Sequence, residues 1–275
     1  MRNQLGIGIA LVAACLTSGG AARADEKLYA SLGAADAEAM KALKKIEDLC
    51  VAFEMDRGGP TRAERRRCDD VYKKAVALGP RAAVAALKSL DRSEHPEELA
   101  FRCYGIAGKT GDLSLIEPLV AGIEKMQSAK TRRWELFNLQ AALADLTFAR
   151  IGQRAPWQEY QEVTRGVVTA AAGAWRSWLA AHPSPTRESL LAEGIADARN
   201  HVGDPDLTRA WFAATFLAER AEFRSEGRKA LEALLGRKHL PMGSREELRE
   251  ALRRYPAIKD APRPVQAEDA KQLRS

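Results

Sequence analysis

Asp69–Met126 reads DDVYKKAVALGPRAAVAALKSLDRSEHPEELAFRCYGIAGKTGDLSLIEPLVAGIEKM and holds two helix pairs laid end to end, the second echoing the first. Val84-Ala85-Ala86-Leu87 superposes on Ile116-Glu117-Pro118-Leu119 at a shift of 32 positions, and a glycine break precedes each copy, Gly79-Pro80 and then Gly111-Asp112. A short amphipathic helix, a break and a second amphipathic helix cannot bury their apolar faces alone. Stacking such units does, which is the physical basis of an α-solenoid. The reading is an all-α fold, a solenoid of stacked antiparallel helix pairs with an N-terminal helical hairpin and an irregular C-terminal tail.

The rest of the chain extends this pattern. Ala34 to Met55 has Met40, Leu43, Ile46, Cys50 and Phe53 at helical spacing. Arg57-Gly58-Gly59-Pro60 breaks it, and Thr61 with Glu64 forms a capping box for a helix whose stripe is Cys68, Val71, Ala75 and Leu78. Thr131 to Thr147 carries two apolar stripes and is predicted to lie between neighbours. Trp157 to Ala181 is one helix or two, and His182-Pro183-Ser184-Pro185 separates it from a helix over Thr186–Asn200. Ser244 and Glu247 suggest a capping box for a last helix ending near Tyr255. Pro262 and Pro264, among dispersed charges, make 256–275 a tail. The division is thus a leader, an N-terminal helix and turn over 25–60, helical repeats over 61–255, and the tail.

These repeats resemble HEAT-like repeats, in particular the short bilin-lyase type. Leu143-Ala144-Asp145-Leu146-Thr147 followed by a loop and Trp175-x-x-Trp178 resembles a module of exported bacterial HEAT-like proteins, in which the helix ends in Leu-Thr-Gly. Here Phe148 stands where that pattern has Gly. Arg228 to Gly236 looks like a weaker copy of the same helix end. The resemblance spans Thr61–Tyr255 and implies an architecture with almost no chemistry.

Met1–Ala24 reads as an export signal: Arg2, an apolar run from Leu5 to Leu16, then Ala22-Arg23-Ala24 as a small-x-small cleavage site. The apolar run is too short to span a bilayer. Leu11-Val12-Ala13-Ala14-Cys15 also resembles a lipobox, which would make residues 1–14 a lipoprotein signal and Cys15 a lipidated first residue. Both readings place the mature chain in the cell envelope, as a periplasmic or lipid-anchored protein, and membrane contact comes only through lipidation of Cys15. An oxidising compartment favours a disulfide between Cys50 and Cys68, on facing stripes of one hairpin, over two buried thiols. Cys103 is then left over, buried on the helix Glu97–Lys109.

Composition excludes several functions. Apolar content of 46% and charge of 29% are those of a globular chain. The formal charge of +6 falls, without Arg2 and Arg23, to +4, and the basic residues alternate with acidic ones along helices. Arg65-Arg66-Arg67 is the one compact basic run, flanked by Glu64 and Asp69-Asp70, so nucleic acid is not an expected partner. His95, His182, His201 and His239 are scattered, so no metal site and no cofactor is expected. No GxSxG, Walker or GxGxxG segment occurs, and no catalytic residue is assigned. His201-Val202-Gly203-Asp204 is the most loop-like polar cluster. Trp175 and Trp178, one turn apart, are core residues or an aromatic contact for a ligand. Gln158-Glu159 and Arg187-Glu188 read as solvated helix surface. The expectation is a non-enzymatic scaffold that binds another envelope protein; the alternative implied by the resemblance is a lyase-like enzyme or enzyme subunit.

Overall fold

The computed structural model describes residues 27–55, 61–93, 96–127, 135–152, 155, 157–158 and 163–257. Eleven α-helices and no strand occur among them. The all-α expectation is therefore met. The leader, Cys15, the turn at 57–60 and residues 258–275 of the expected tail lie outside the described residues.

Local chemistry sets the helix ends. Asp36 accepts from the Ala39 N–H at 2.9 Å ahead of α1 (Ala37–Met55). Thr61 and Glu64 form the expected capping box on α2 (Arg62–Ala77). Gly79, at φ 65°, turns the chain sharply into α3 (Pro80–Leu90), with Pro80 at the first helical position where its missing N–H is harmless. After α4 (Pro96–Lys109), Gly111 repeats the left-handed turn at φ 69°, and a short 3₁₀ turn capped by Asp112 leads into α5 (Ile116–Met126). The two glycines are 32 residues apart, the same shift as the sequence echo. Helix α6 is Leu136–Thr147, and the first residues of the expected Thr131–Thr147 helix lie outside the described set.

Two expected boundaries change. Trp157 and Gln158 sit in a turn, and α7 (Arg165–Ala181) starts only after Thr164, whose hydroxyl accepts from the Val167 N–H. Helix α8 (Arg187–His201) carries a Thr186/Ser189 capping box, and α9 (Leu207–Glu219) starts where Asp206 accepts from the Thr208 and Arg209 N–H groups. Helix α10 (Arg224–Leu235) ends at Gly236 in a right-handed conformation, so it is not a second copy of the α6 end. Before α11 (Ser244–Arg254) the turn residue is Gly243, at φ 80°. The expected Ser244 capping box is absent, because Ser244 is already helical and its hydroxyl donates to Pro241 O.

Packing divides the interior. One large apolar cluster runs from Leu28 and Tyr29 through α1–α7 to Trp175. Two small ones follow: Ala198, Ala213, Phe216 and Leu217 between α8 and α9, and Ala210, Ala214, Ala218, Leu231 and Leu248 between α9, α10 and α11. The leucine stripe of α6 (Leu136, Leu139, Leu143, Leu146) is fully buried. Its second stripe is not, since Ala141 is exposed and Phe137 half-buried. Cys68 and Cys103 are both buried. The side chain of Cys50, to which the expected bridge leads, lies outside the described residues.

Candidate functional site

A groove of about 900 Å³ opens where the large core gives way to the α8–α9 cluster. Its volume is that of a small-molecule site or a peptide cleft. The end of α6 and the loop 148–152 form one wall, one face of α8 another, and α9 the floor.

The groove is shaped by a strained residue. Phe148, at φ 60°, is the one non-glycine residue with positive φ among those described, and it takes the left-handed position that closes α6. An L side chain there costs roughly 1–2 kcal/mol, so the surroundings must hold it. They do so with an alternating stack. The Arg187 guanidinium lies 4.3 Å from the Phe148 ring centre, and Arg220 lies 5.1 Å from Phe148 and 3.4 Å from Phe216. Arg150 follows at 5.3 Å from Phe216 and 5.8 Å from Phe212. Three guanidiniums thus interleave three phenyl rings, an arrangement in which each planar cation meets the negative ring face. Phe148 and Phe216 also meet edge to face at 5.9 Å. Gly194 on α8 makes room for them, since a Cβ there would lie 2.9 Å from the Phe148 Cβ and from the Phe216 ring.

Hydrogen bonds lock the stack to the backbone. Arg187 Nη1 donates to Asp145 O and Leu146 O, in the last turn of α6, at 3.2 and 3.0 Å. Arg220 donates to Phe216 O. Burial pushes the guanidiniums of Arg150, Arg187 and Arg220 below their ordinary range, opposed at Arg150 by Glu219 and Asp145. Burial raises the Asp145 carboxyl against the pull of Arg150. Tyr255 donates to Glu219 at 2.9 Å and is pushed up to about 12 by burial and that carboxylate. Arg150 and Phe212 also line a smaller adjoining cavity of about 110 Å³ with Tyr255 and Glu219.

The opposite wall is polar and internally paired. Glu193 meets His182 Nε2 at 3.0 Å, and His182 stacks on Trp178 at 4.2 Å. Burial opposes charging of His182, yet the Trp178 carbonyl and Glu193 outweigh it and hold the pKa above the ordinary imidazole value. His201 bonds Asp197 O through Nδ1 at 2.8 Å. Gln158 accepts from Ala155 N–H and donates to Thr208 Oγ1 at 3.2 Å, bridging the loop to α9.

The structure separates the tryptophan pair: Trp175 is fully buried, its indole N–H without a hydrogen-bond partner among the described residues, and Trp178 lines the groove, their rings 5.9 Å apart. His201 reaches the groove wall; its neighbour Asp204 is not in it. Gln158 and Arg187 were read as solvated surface; Gln158 lines the groove, and Arg187 stands behind its wall, bonded to the end of α6 and stacked on Phe148. Phe212, Phe216 and Arg220 were not singled out by the sequence. The one signal toward them is Phe148 in a glycine position, since a strained aromatic needs partners. No group of three His, Cys, Asp or Glu able to hold a metal ion occurs among the described residues. Nor does any described helix have the length and apolarity to cross a membrane. The chain matches no protein-family model, no curated protein sequence and no solved structure.

Proposed function

We propose that this chain is an exported, non-enzymatic helical-repeat scaffold that binds another protein of the cell envelope. The observation that carries the stacked-repeat reading is a register. Arg102 on α4 pairs with Asp69 on α2 at 3.1 Å, and a Cβ at Gly105 would touch Tyr72 Oη at 2.8 Å. Both pairs are offset by 33 residues and run in the same direction, so α2 and α4 lie parallel, at an offset close to the 32-residue shift of the sequence echo. Tyr104 Oη donates to Glu135 at 2.6 Å and Gly108 abuts Ala142, which carries the parallel order on to α6. Helix α5 is tied to α7 by Arg176, bidentate on Glu124 at 2.6 Å and also on Glu117 at 2.5 Å. Alternate helices in parallel layers are what stacked helix pairs produce, and such stacks present extended faces to protein partners.

The reading is tested with mature chain purified from the native envelope. A stoichiometric protein partner that rebinds in purified form supports it. Turnover of a small molecule with no such partner would favour the lyase-like alternative. Intact mass tests the export component: it should correspond to a chain starting at Asp25 or at a lipidated Cys15, and an uncleaved Met1 rejects it.

A further inference from the structure

We propose that the groove between α6, α8 and α9 binds a small hydrophobic carboxylic acid, its carbon skeleton on the Phe148–Phe212–Phe216 wall and its carboxylate beside Arg150. This goes beyond the scaffold reading and does not rest on it. The volume of about 900 Å³ suits a ligand of this class. The wall sets guanidiniums among phenyl rings. Three guanidiniums, those of Arg150, Arg187 and Arg220, share it with two carboxylates, Asp145 and Glu219, among the described residues. Arg150 and Arg209 face the groove together with Glu193, Asp197 and Asp206, so the place for an anionic group is local, at the Arg150 guanidinium among the rings.

Of the three arginines, only Arg150 lines the groove. Arg187 and Arg220 spend donors on backbone carbonyls behind it. Arg150 makes a further contact of its own, so the ligand would join a partnered guanidinium. Five N–H donors in a fixed fork allow that sharing with a carboxylate. The acidic groups of the lining are already engaged: Glu193 with His182, Asp197 with His201, and Asp206 with the first N–H groups of α9.

Calorimetric titration of the purified mature chain with dodecanoate, dodecanol and dodecylammonium, each below its aggregation concentration, tests this. One dodecanoate should bind per chain, with dodecanol about tenfold weaker and dodecylammonium weaker still, as loss of one charge-assisted contact implies. Arg150→Gln should weaken dodecanoate about tenfold, Arg150→Lys should retain most of the affinity, and Phe212→Ala should weaken dodecanoate and dodecanol alike. Dodecylammonium binding as tightly as dodecanoate, unchanged affinity in folded Arg150→Gln, or no dodecanoate binding at all would overturn the proposal. The comparison of head groups on the unmodified chain decides the charge preference even where a variant does not fold. None of these outcomes bears on capture of a protein partner.

Discussion

Phe148 condenses the problem of this chain into one residue. Its backbone prefers glycine and its ring is clamped between Arg187 and Arg220. Phe148→Gly removes strain and ring together; Phe148→Ala removes the ring and keeps the strain. Urea unfolding should therefore find Ala less stable than Gly by about 1 kcal/mol, with both below the parent. Equal stability of the two would mean that the left-handed turn is not strained. Arg187 makes the complementary case. It caps the α6 carbonyls and covers Phe148, so Arg187→Ala should lose about 1–3 kcal/mol. The neighbouring Glu188 is exposed, and its replacement by Ala should stay within about 0.5 kcal/mol.

At the scale of elements, helix pairs pack as closely as their smallest residues permit. Helices α9 and α10 meet at Gly227, where a Cβ would lie 2.2 Å from Ala218 N and 2.6 Å from Ala214 O. Those are backbone atoms and cannot swing aside, so Gly227→Ala must push the helices apart and should cost about 1–3 kcal/mol. Gly173, inside α7, has nothing within 4 Å of its would-be Cβ, and Gly173→Ala should stabilise by about 0.5–1 kcal/mol through helix propensity. A thermal melt of both variants tests this; a stabilised Gly227→Ala would contradict the crossing. The link between α4 and the N-terminal segment is polar and buried. Tyr29 and Tyr104 hydroxyls lie 2.8 Å apart, and Tyr104 donates to Glu135. Burial, with Glu135 beside it, raises the Tyr104 pKa well above the ordinary phenol value. The folded state therefore holds that proton more tightly than the unfolded chain, so its stability is fully present below the unfolded pKa, about 10. It is lost as the pH rises from there toward the folded pKa. Tyr104→Phe should flatten the alkaline fall in unfolding free energy, and an unchanged slope would assign that fall to other groups.

For the whole molecule, the repeat register predicts which side chains carry the core. Leu119 has no exposed surface and sits at the position of Leu87 in the first copy. Leu119→Ala should cost about 2–5 kcal/mol in equilibrium unfolding, and a loss under about 0.5 kcal/mol would break the register. The N-terminal segment closes the same core. Asp91 accepts the N–H groups of Leu28 and Tyr29 at 2.9 and 2.6 Å, and Lys125 donates to Leu28 O at 2.8 Å. Helices placed far apart by the sequence are thereby tied through a few residues near the expected cleavage point.

The sequence by itself determined the helices and their breaks. Period-3.6 stripes, the Thr61/Glu64 box and the paired glycines at 79 and 111 are local chemistry, and local chemistry is written in neighbouring letters. The resemblance to HEAT-like repeats pointed to Phe148, which stands where that pattern has Gly. At the site the sequence's errors were of one kind: Arg187 and Gln158 look like solvated surface, and Trp175 and Trp178 look alike, until other helices arrive. Only the tertiary structure decided that Trp175 is core while Trp178 faces the groove, and that Arg150, Arg187 and Arg220 converge on three rings from separate segments. The physical reason is that stacking a guanidinium on a ring depends on how the helix ends meet in space, and no spacing along the chain encodes that meeting.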